Sequence, residues 1–354
     1  MRALKGALVG HGFIGERGHM PAYDHAARAG VPIEIVAVAD VRRNCLLRAL
    51  AKKPSLRVYE DYRDMLARES ELDFVDIATP PHLHARVTHA AFERGLHVLC
   101  EKPIATSAKD ATEMLAHAKR ARRVFYPSHN YKHSPVVRGV RAILDAGTIG
   151  LPHLVTLHTF RTTHARGTDD FFPDWRRVKK YSGGGIATDH GAHTFYLAFD
   201  WLGSYPTSIT AKMSASSSAD TEDNVACAIT FPTGTASAHL SWTAGDRKIL
   251  YTIHGDRGAI RVEDDDIEVT QMTRGADGKT QCERQRTQAP SDWMDASHVG
   301  WFSSLFQGFA TAIDERDYVG REARDSEMCV RLIEAAYASA RDGSREQTVP
   351  ASVQ

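Results

Sequence analysis

Short apolar runs punctuate the first third of the chain and alternate with amphipathic stretches. The runs Gly6–Val9, Ile33–Ala39, Arg57–Tyr59, Phe74–Ala78, His97–Cys100 and Val124–Tyr126 predict strands. Tyr62–Arg68, Ala85–Arg94 and Ala108–Arg120 between them predict helices. Ser107-Ala108-Lys109-Asp110 is a capping signal for the last of these helices. Strand–helix alternation over this length argues for a parallel, doubly wound sheet.

After Pro127 the rhythm changes. A helix over Pro135–Ala146, stopped by Gly147, leads to a strand near His153–Phe160 and then to a long irregular stretch, Arg161–Ser182. Loops of that length are commonly functional. A helix follows Asp189 and ends near Leu202-Gly203. Next come β-like segments at Thr207–Ala215, Asn224–Phe231, Ala236–Thr243, Lys248–His254, Ala259–Glu263 and Asp266–Thr270. The turns Pro232-Thr233-Gly234 and Gly255-Asp256-Arg257-Gly258 read as hairpins, which favours an antiparallel sheet. Polar Arg274–Ala289 reads as a surface loop, and helices near Trp301–Asp314 and Ser326–Ala340 finish the chain. The expected organisation is an α/β domain over residues 1–126 and an α+β domain over 127–354.

Composition narrows the function classes. At 354 residues, with 42% hydrophobic and 25% charged positions, the chain is that of a globular protein of two domains. Lysine plus arginine and aspartate plus glutamate each total 44, so no net charge draws it to nucleic acid or an anionic membrane. No apolar run approaches the roughly 20 residues of a membrane span. Five scattered cysteines without a C-x-x-C pair fit reduced thiols and a cytoplasmic location. Met1 runs almost directly into Ala7-Leu8-Val9, a strand rather than a cleavable signal.

Gly10-His11-Gly12-Phe13-Ile14-Gly15 lies between a strand and a helical stretch, the context in which G-x-G-x-x-G holds a dinucleotide. Gly10 permits the tight turn, Gly12 lets backbone amides approach a pyrophosphate, and Gly15 lets helix and strand pack closely. The helix N-terminus adds a favourable dipole. Asp40 ends the second strand, 25 residues after Gly15, where a carboxylate receives the ribose hydroxyls and disfavours a 2′-phosphate. That points to NAD, while Arg42 and Arg43 beside it leave NADP open.

Two further signatures supply proton chemistry. Thr79-Pro80-Pro81-His82-Leu83-His84 and Glu101-Lys102-Pro103 follow the fourth and fifth strands, at whose carboxyl ends ligands bind in such sheets. Lys102 precedes a proline, which holds its backbone extended. In Gly183-Gly184-Gly185-Ile186-Ala187-Thr188-Asp189-His190-Gly191-Ala192-His193, three glycines let backbone approach something closely. Asp189 and His193 are one helical turn apart, so the carboxylate would orient the imidazole and raise its pKa. An imidazole near neutrality is the usual general acid or base. With 18 histidines in the chain, the proximity of His190 to His193 is weak grounds for a metal site.

These residues resemble the glucose–fructose oxidoreductase/inositol dehydrogenase (Gfo/Idh/MocA) family. The likeness runs through Gly10–Gly15, Thr79–His84, Gly95–Pro103, Trp175-Arg176, Gly183–His193, the Gly255–Gly258 hairpin and the closing helix. It implies a Rossmann domain followed by an α+β domain with a large open antiparallel sheet, through which copies form homodimers or homotetramers. It also implies roles. Lys102 would hydrogen-bond the substrate oxygen, and His193 would exchange the proton with Asp189 in support. The cofactor would touch Gly10, Gly12, Phe13, Ile14, Gly15, Asp40, Val41, Arg42, Thr79, Pro80, His84, Glu101 and Lys102. Asn130, Lys132, Trp175 and Arg176 would face the substrate. Lys132 stands where many relatives have arginine, and lysine makes no bidentate fork.

The expected activity is hydride transfer between NAD and a secondary alcohol or ketone of a sugar, cyclitol or related compound. His164, Arg166, Asp169, Asp170 and Asp174 in the long loop offer polar contacts to hydroxyls. The same residues also suit an NAD-dependent glycoside hydrolase or an imine or double-bond reductase. A ligand sensor without turnover is a poorer match to a chain that keeps Lys102, Asp189 and His193 together.

Overall fold

The computed structural model describes residues 2–169, 172–215, 220–274, 280–290 and 295–351. Asp170 and part of the expected 274–289 loop lie outside the described residues. The first half is built from β1 (Leu4–Val9), α1 (Met20–Arg28), β2 (Ile33–Ala39), α2 (Arg43–Lys52), β3 (Arg57–Tyr59), α3 (Tyr62–Arg68), β4 (Phe74–Ile77), α4 (His84–Glu93), β5 (His97–Cys100), α5 (Ala108–Ala121) and β6 (Phe125–Pro127). Its strands pair in parallel in the order β3-β2-β1-β4-β5-β6, so the chain reverses direction across the sheet between β1 and β4. That switch opens a crevice at the strands' carboxyl ends. Ser107 caps α5 as expected, accepting a hydrogen bond from the Asp110 amide.

The second half continues with α6 (Pro135–Asp145), β7 (Pro152–Phe160), α7 (Lys179–Ser182), α8 (Ile186–Asp189), α9 (Gly191–Leu202), β8 (Ser208–Ser214), β9 (Asn224–Phe231), β10 (Gly234–Ser241), β11 (Lys248–Gly255), β12 (Gly258–Glu263), β13 (Asp266–Arg274), β14 (Thr280–Gln288), α10 (Val299–Glu315), α11 (Arg321–Arg341) and β15 (Gln347–Thr348). Among the described residues its sheet runs β14-β13-β12-β11-β7-β10-β9-β8-β15. In β9 the inward residues Val225, Cys227, Ile229 and Phe231 are buried and the intervening positions exposed, the alternation of a sheet covered on one face.

The second sheet is largely antiparallel, as expected, with one parallel pairing, and one further expectation needs correction. The sheet is mixed, because β7 pairs in parallel with β10. The chain leaves β7 for the long loop and helices and returns by way of β8 and β9, so β10 reaches β7 running the same way. The polar stretch expected as a loop contains β14, which pairs with β13 from Asp266↔Gln288 to Arg274↔Thr280. Every residue of β14 is exposed, so no apolar alternation marks it; the backbone of β13 holds it in place.

The closing helices stitch the halves together. α10 lays Phe302, Phe306 and Phe309 into the core of the first sheet, where Phe306 stacks on Tyr23 with ring centroids 4.0 Å apart. α11 packs on β8 and α9 and also reaches α5 and β6. Phe306 is fully buried among aromatic neighbours, and Phe306→Ala is expected to cost about 3–5 kcal/mol. Urea denaturation would show this as a lower midpoint, although the residue lies far from the first domain in sequence.

Candidate active site

A cavity of about 750 Å³ lies between the carboxyl ends of the parallel strands and the second sheet. On the first side it is lined by Gly10, Gly12, Phe13, Ile14, Asp40, Val41, Arg42, Thr79, Pro80, Glu101 and Lys102. The second side brings Asn130, Trp175, Arg176, Asp189, His190 and His193. Gly15 stands behind the wall, where an added Cβ would lie 2.5 Å from the Gly10 carbonyl. Gly10 has φ +97°, and a Cβ there would strike the backbone of Ala78 at 2.8 Å.

Lys102 joins the two sides. Its Nζ donates to Asp189 Oδ1 at 2.9 Å and to the Asp189 carbonyl at 3.0 Å. Burial alone would raise the pKa of the Asp189 carboxyl. Lys102 above all, then Arg176 with Nε 3.5 Å away, holds it well below the usual carboxylate range.

Beneath Lys102 lies a charge network that the motifs did not disclose. Glu101 accepts from the Lys102 amide with Oε2 at 3.1 Å, and Oε1 is 3.0 Å from His19 Nε2. The other ring nitrogen of His19 is 2.7 Å from Asp76 Oδ2, which also accepts from the Tyr23 hydroxyl at 2.9 Å. Burial opposes charging of His19, but Asp76 and Glu101 outweigh it and raise its pKa to about 10. A one-turn π-helix over Gly15–His19 carries this ring below the glycine loop.

The glycine triplet packs closely against protein, and Gly184 also lines the cavity. A Cβ on Gly185 would fall 2.0 Å from the Glu222 carbonyl oxygen, and one on Gly184 would fall 1.8 Å from the Tyr337 hydroxyl. Glu222 in turn accepts from the Gly185 and Ala187 amides at 3.0 and 2.9 Å, which satisfies the first turn of α8 and sets Asp189 at its end.

Three expected placements are not met. Asp189 does not orient His193: its carboxylate is engaged by Lys102 and lies 3.3 Å from His190 Nδ1, while His193 Nδ1 is buried with no hydrogen-bond partner among the described residues. The helix breaks at His190 between α8 and α9, so the two residues do not share a continuous helical face. His193 instead stacks on Tyr131, with ring centroids 4.1 Å apart and planes inclined by 13°. Nor is its pKa raised; burial first, then Lys102, lowers it well below 6.5. Lys132 is outside the cavity lining, where Asp325 and Glu322 of α11 receive its ammonium at 2.7 and 3.1 Å. His84 is likewise behind the wall, bracing two turns by contacts to the Thr79 and Pro103 carbonyls at 2.7 and 2.9 Å.

His190 and the long loop complete the second side. Trp242 Nε1 donates to His190 Nδ1 at 3.3 Å, and burial lowers the His190 pKa to about 4 despite Asp189. In the loop, Arg177 donates to His164 and is paired with Asp223, and His164 Nε2 meets Asp174 at 3.0 Å. Arg166 reaches the same Asp174 at 3.4 Å, and Asp169 is exposed. Tyr131, Arg161, Arg247 and His298 also line the cavity. No motif marked them, and for the arginines the one available signal was their position at the ends of strand-like runs.

Comparison with known proteins identifies the lineage. Residues 4–129 match the oxidoreductase family with an NAD-binding Rossmann fold, and residues 137–261 match the GFO/IDH/MocA C-terminal domain. The chain belongs to the Gfo/Idh/MocA family. D-apiose dehydrogenase of Paraburkholderia graminis is 28% identical over 97% of this chain and 89% of its own length. Levoglucosan dehydrogenase of Pseudarthrobacter phenanthrenivorans is 27% identical over 78% of this chain and 66% of its own. A solved levoglucosan dehydrogenase with NADH and levoglucosan superposes with a TM-score of 0.85 at 23% identity, covering 99% of this chain and 100% of that one.

NAD is the family's cofactor, and the residues present fit it. Gly12 faces the cavity, where an added Cβ would meet nothing nearer than Arg42 Nη2 at 3.5 Å. Asp40 is fixed at the cavity rim by the His11 amide at 2.7 Å. Its oxygens also accept from Arg42 Nε and Nη2, each at 2.9 Å, and Arg42 continues to the Thr168 hydroxyl at 2.7 Å. Asp40, at the end of β2, is thus tied through Arg42 to the long loop of the second half.

The buried His19 makes stability pH-dependent. An unfolded chain has this imidazole near its ordinary value of 6.5, whereas the folded value is about 10. The folded state holds the extra proton between them, so its stabilisation is complete below about pH 6.5 and declines as pH rises through about 10. Urea midpoints measured across this range should fall with rising pH, and His19→Gln should flatten that slope. A wild-type midpoint independent of pH would mean that the buried ring is neutral.

Proposed function

We propose that this chain is an NAD-dependent oxidoreductase that interconverts a secondary alcohol and a ketone of a sugar, cyclitol or sugar derivative, with Lys102 and His193 handling the proton. The observation that carries this reading is one cavity holding both a neutral imidazole and the Lys102–Asp189 ion pair beside the glycine loop. NAD, when bound, supplies the hydride acceptor or donor. The Gly10–Ile14 turn, Asp40 and the Thr79-Pro80 turn would hold it, and residues 127–354 would supply most of the substrate side.

His193 carries the acid–base work. A histidine held neutral by burial has a free lone pair at physiological pH and takes the hydroxyl proton as the alcohol is oxidised. Once protonated in that setting it is a strong acid, so it returns the proton readily in reduction. Lys102 directs an ammonium N–H toward the substrate oxygen and stabilises negative charge that develops there. Asp189 holds that ammonium in position, a different task from orienting the histidine. The stack of His193 on Tyr131 fixes the ring plane in place of a hydrogen bond.

The relatives named for D-apiose and levoglucosan support a sugar-like substrate. Assembly is part of the same proposal. Leu154, Thr156, His158 and Phe160 of β7 face outward on the open side of the second sheet, beside Ser237 and His239 of β10. This uncharged surface suits pairing with a second copy, which light scattering would register as a dimer or tetramer.

Incubation with NAD⁺ and a panel of aldoses, anhydrosugars, cyclitols and glycosides should give a substrate-dependent rise in NADH absorbance. Aglycone release without NADH would instead identify a redox-assisted hydrolase. His193→Ala should lower kcat by about 10²–10⁴-fold with NAD affinity retained. Lys102→Ala should lower it further. Because the His193 pKa lies well below 6.5, the acid limb of the wild-type oxidation rate should lie below that value too. Near-wild-type turnover in either variant would refute the assigned roles.

A further inference from the structure

We propose that Arg42 is a latch between the cofactor and the substrate loop. It fills the Asp40 acceptors that the adenosine ribose needs, and it releases Thr168 when the ribose takes them. This rests on the placement of NAD at Asp40 in the reading above, and adds how cofactor binding reaches the loop over residues 161–178.

The acceptors of Asp40 are all in use. A carboxylate offers about four lone-pair sites. Oδ2 accepts from the His11 amide at 2.7 Å and from Arg42 Nη2 at 2.9 Å. Oδ1 accepts from the Arg42 amide and from Arg42 Nε, each at 2.9 Å. The two amides belong to the backbone, so ribose hydroxyls reach the carboxylate only where the guanidinium now lies. Space makes the same demand. Arg42 Nη2 lies 3.5 Å from where a Cβ on Gly12 would be, so the guanidinium covers the glycine that lets backbone approach a pyrophosphate. Its side chain is 15% exposed against 4% for Asp40, which makes the arginine the outer partner and the one able to leave.

The other arm of the same group holds the loop. Arg42 Nη1 donates to the Thr168 hydroxyl at 2.7 Å. The guanidinium is a rigid planar fork, so swinging Nε and Nη2 away from Asp40 carries Nη1 with them. Behind Thr168 the loop is tied to itself. The Gly167 amide donates to the Pro173 carbonyl at 2.6 Å, and Arg176 donates to the Ala165 carbonyl at 3.0 Å. Movement at Thr168 is therefore passed to Trp175 and Arg176, which line the substrate side of the cavity.

Trypsin cleavage after the exposed Arg166 reads the loop beside the latch, and calorimetry reads the cofactor. ADP-ribose carries the adenosine ribose and pyrophosphate without the nicotinamide. Adding it should speed wild-type cleavage at Arg166 by about 3-fold or more, the effect of losing one hydrogen-bonded tether. Thr168→Val should be cut at the faster rate from the start and gain nothing from ADP-ribose. Thr168→Ser, which keeps the hydroxyl, should behave as the wild type. By linkage, a loop already released no longer opposes the ribose, so Thr168→Val should bind NAD⁺ about 3–10-fold more tightly. Arg42→Met, which also frees the carboxylate, should bind it at least as tightly as Thr168→Val.

ADP-ribose that slows cleavage, or leaves it unchanged while calorimetry shows it bound, would overturn the proposal. So would NAD⁺ affinity below the wild-type value in both Thr168→Val and Arg42→Met. Loop release as expected, with no NADH formed from any sugar of the panel, would keep the latch and overturn the oxidoreductase reading. Sugar-dependent NADH formation with a loop indifferent to ADP-ribose would do the reverse.

Discussion

The ion pair between Lys102 and Asp189 is the contact on which the site depends. It spans 87 positions of sequence and fastens the loop after β5 to the end of α8, so the two walls of the cavity share a boundary. Opposite charges this close, largely withdrawn from water, are costly to separate, because the survivor is left uncompensated. Each partner is also held from behind. Glu222 fixes the start of α8, and Glu101, clamped by His19, fixes the Lys102 backbone. Hydride transfer requires a proton-moving group and a cofactor to flank one carbon, and a rigid join between the two halves is what such a geometry needs.

Environment, not residue type, assigns the histidines their charge. His19, fully buried between Asp76 and Glu101, is held protonated well beyond neutrality. His190, His193 and His298 are pushed the other way by burial, in a cavity whose other cations penalise a further positive charge. Two carboxylates against His19 outweigh desolvation; one, already paired with Lys102, does not do so for His190. His19 is thereby an imidazolium clamp beneath the glycine loop, while His190, His193 and His298 line the cavity as neutral imidazoles.

The second half is organised around the same cavity. The long loop is pinned by Asp174, His164, Arg177 and Asp223, and its Thr168 meets Arg42 at the cofactor side. Lys132, placed by resemblance in the substrate wall, serves instead as the counter-ion of Glu322 and Asp325, joining the segment after β6 to the last helix. That acidic pair, together with the aromatic stitching of α10, explains how residues near the chain's end take part in holding the first sheet.

Much of this was legible in the sequence. The six parallel strands follow from their apolar runs, and Gly10, Asp40, Lys102, Asp189 and His193 all line the cavity their motifs indicated. Such features are readable because strand period, turn chemistry and the glycine loop are set by residues adjacent in the chain. β14 escaped because an exposed polar edge strand has no period of its own and is held by its neighbour's backbone. The parallel joining of β7 to β10 escaped because topology follows from where the chain returns, not from what either strand contains. The identity of each charge's partner was likewise decided only on folding. Lys102 with Asp189, His19 with Glu101 and Lys132 with Asp325 are separated by 87, 82 and 193 positions. Electrostatic pairing depends on distance in space and on withdrawal from water, and neither is encoded by spacing along the chain.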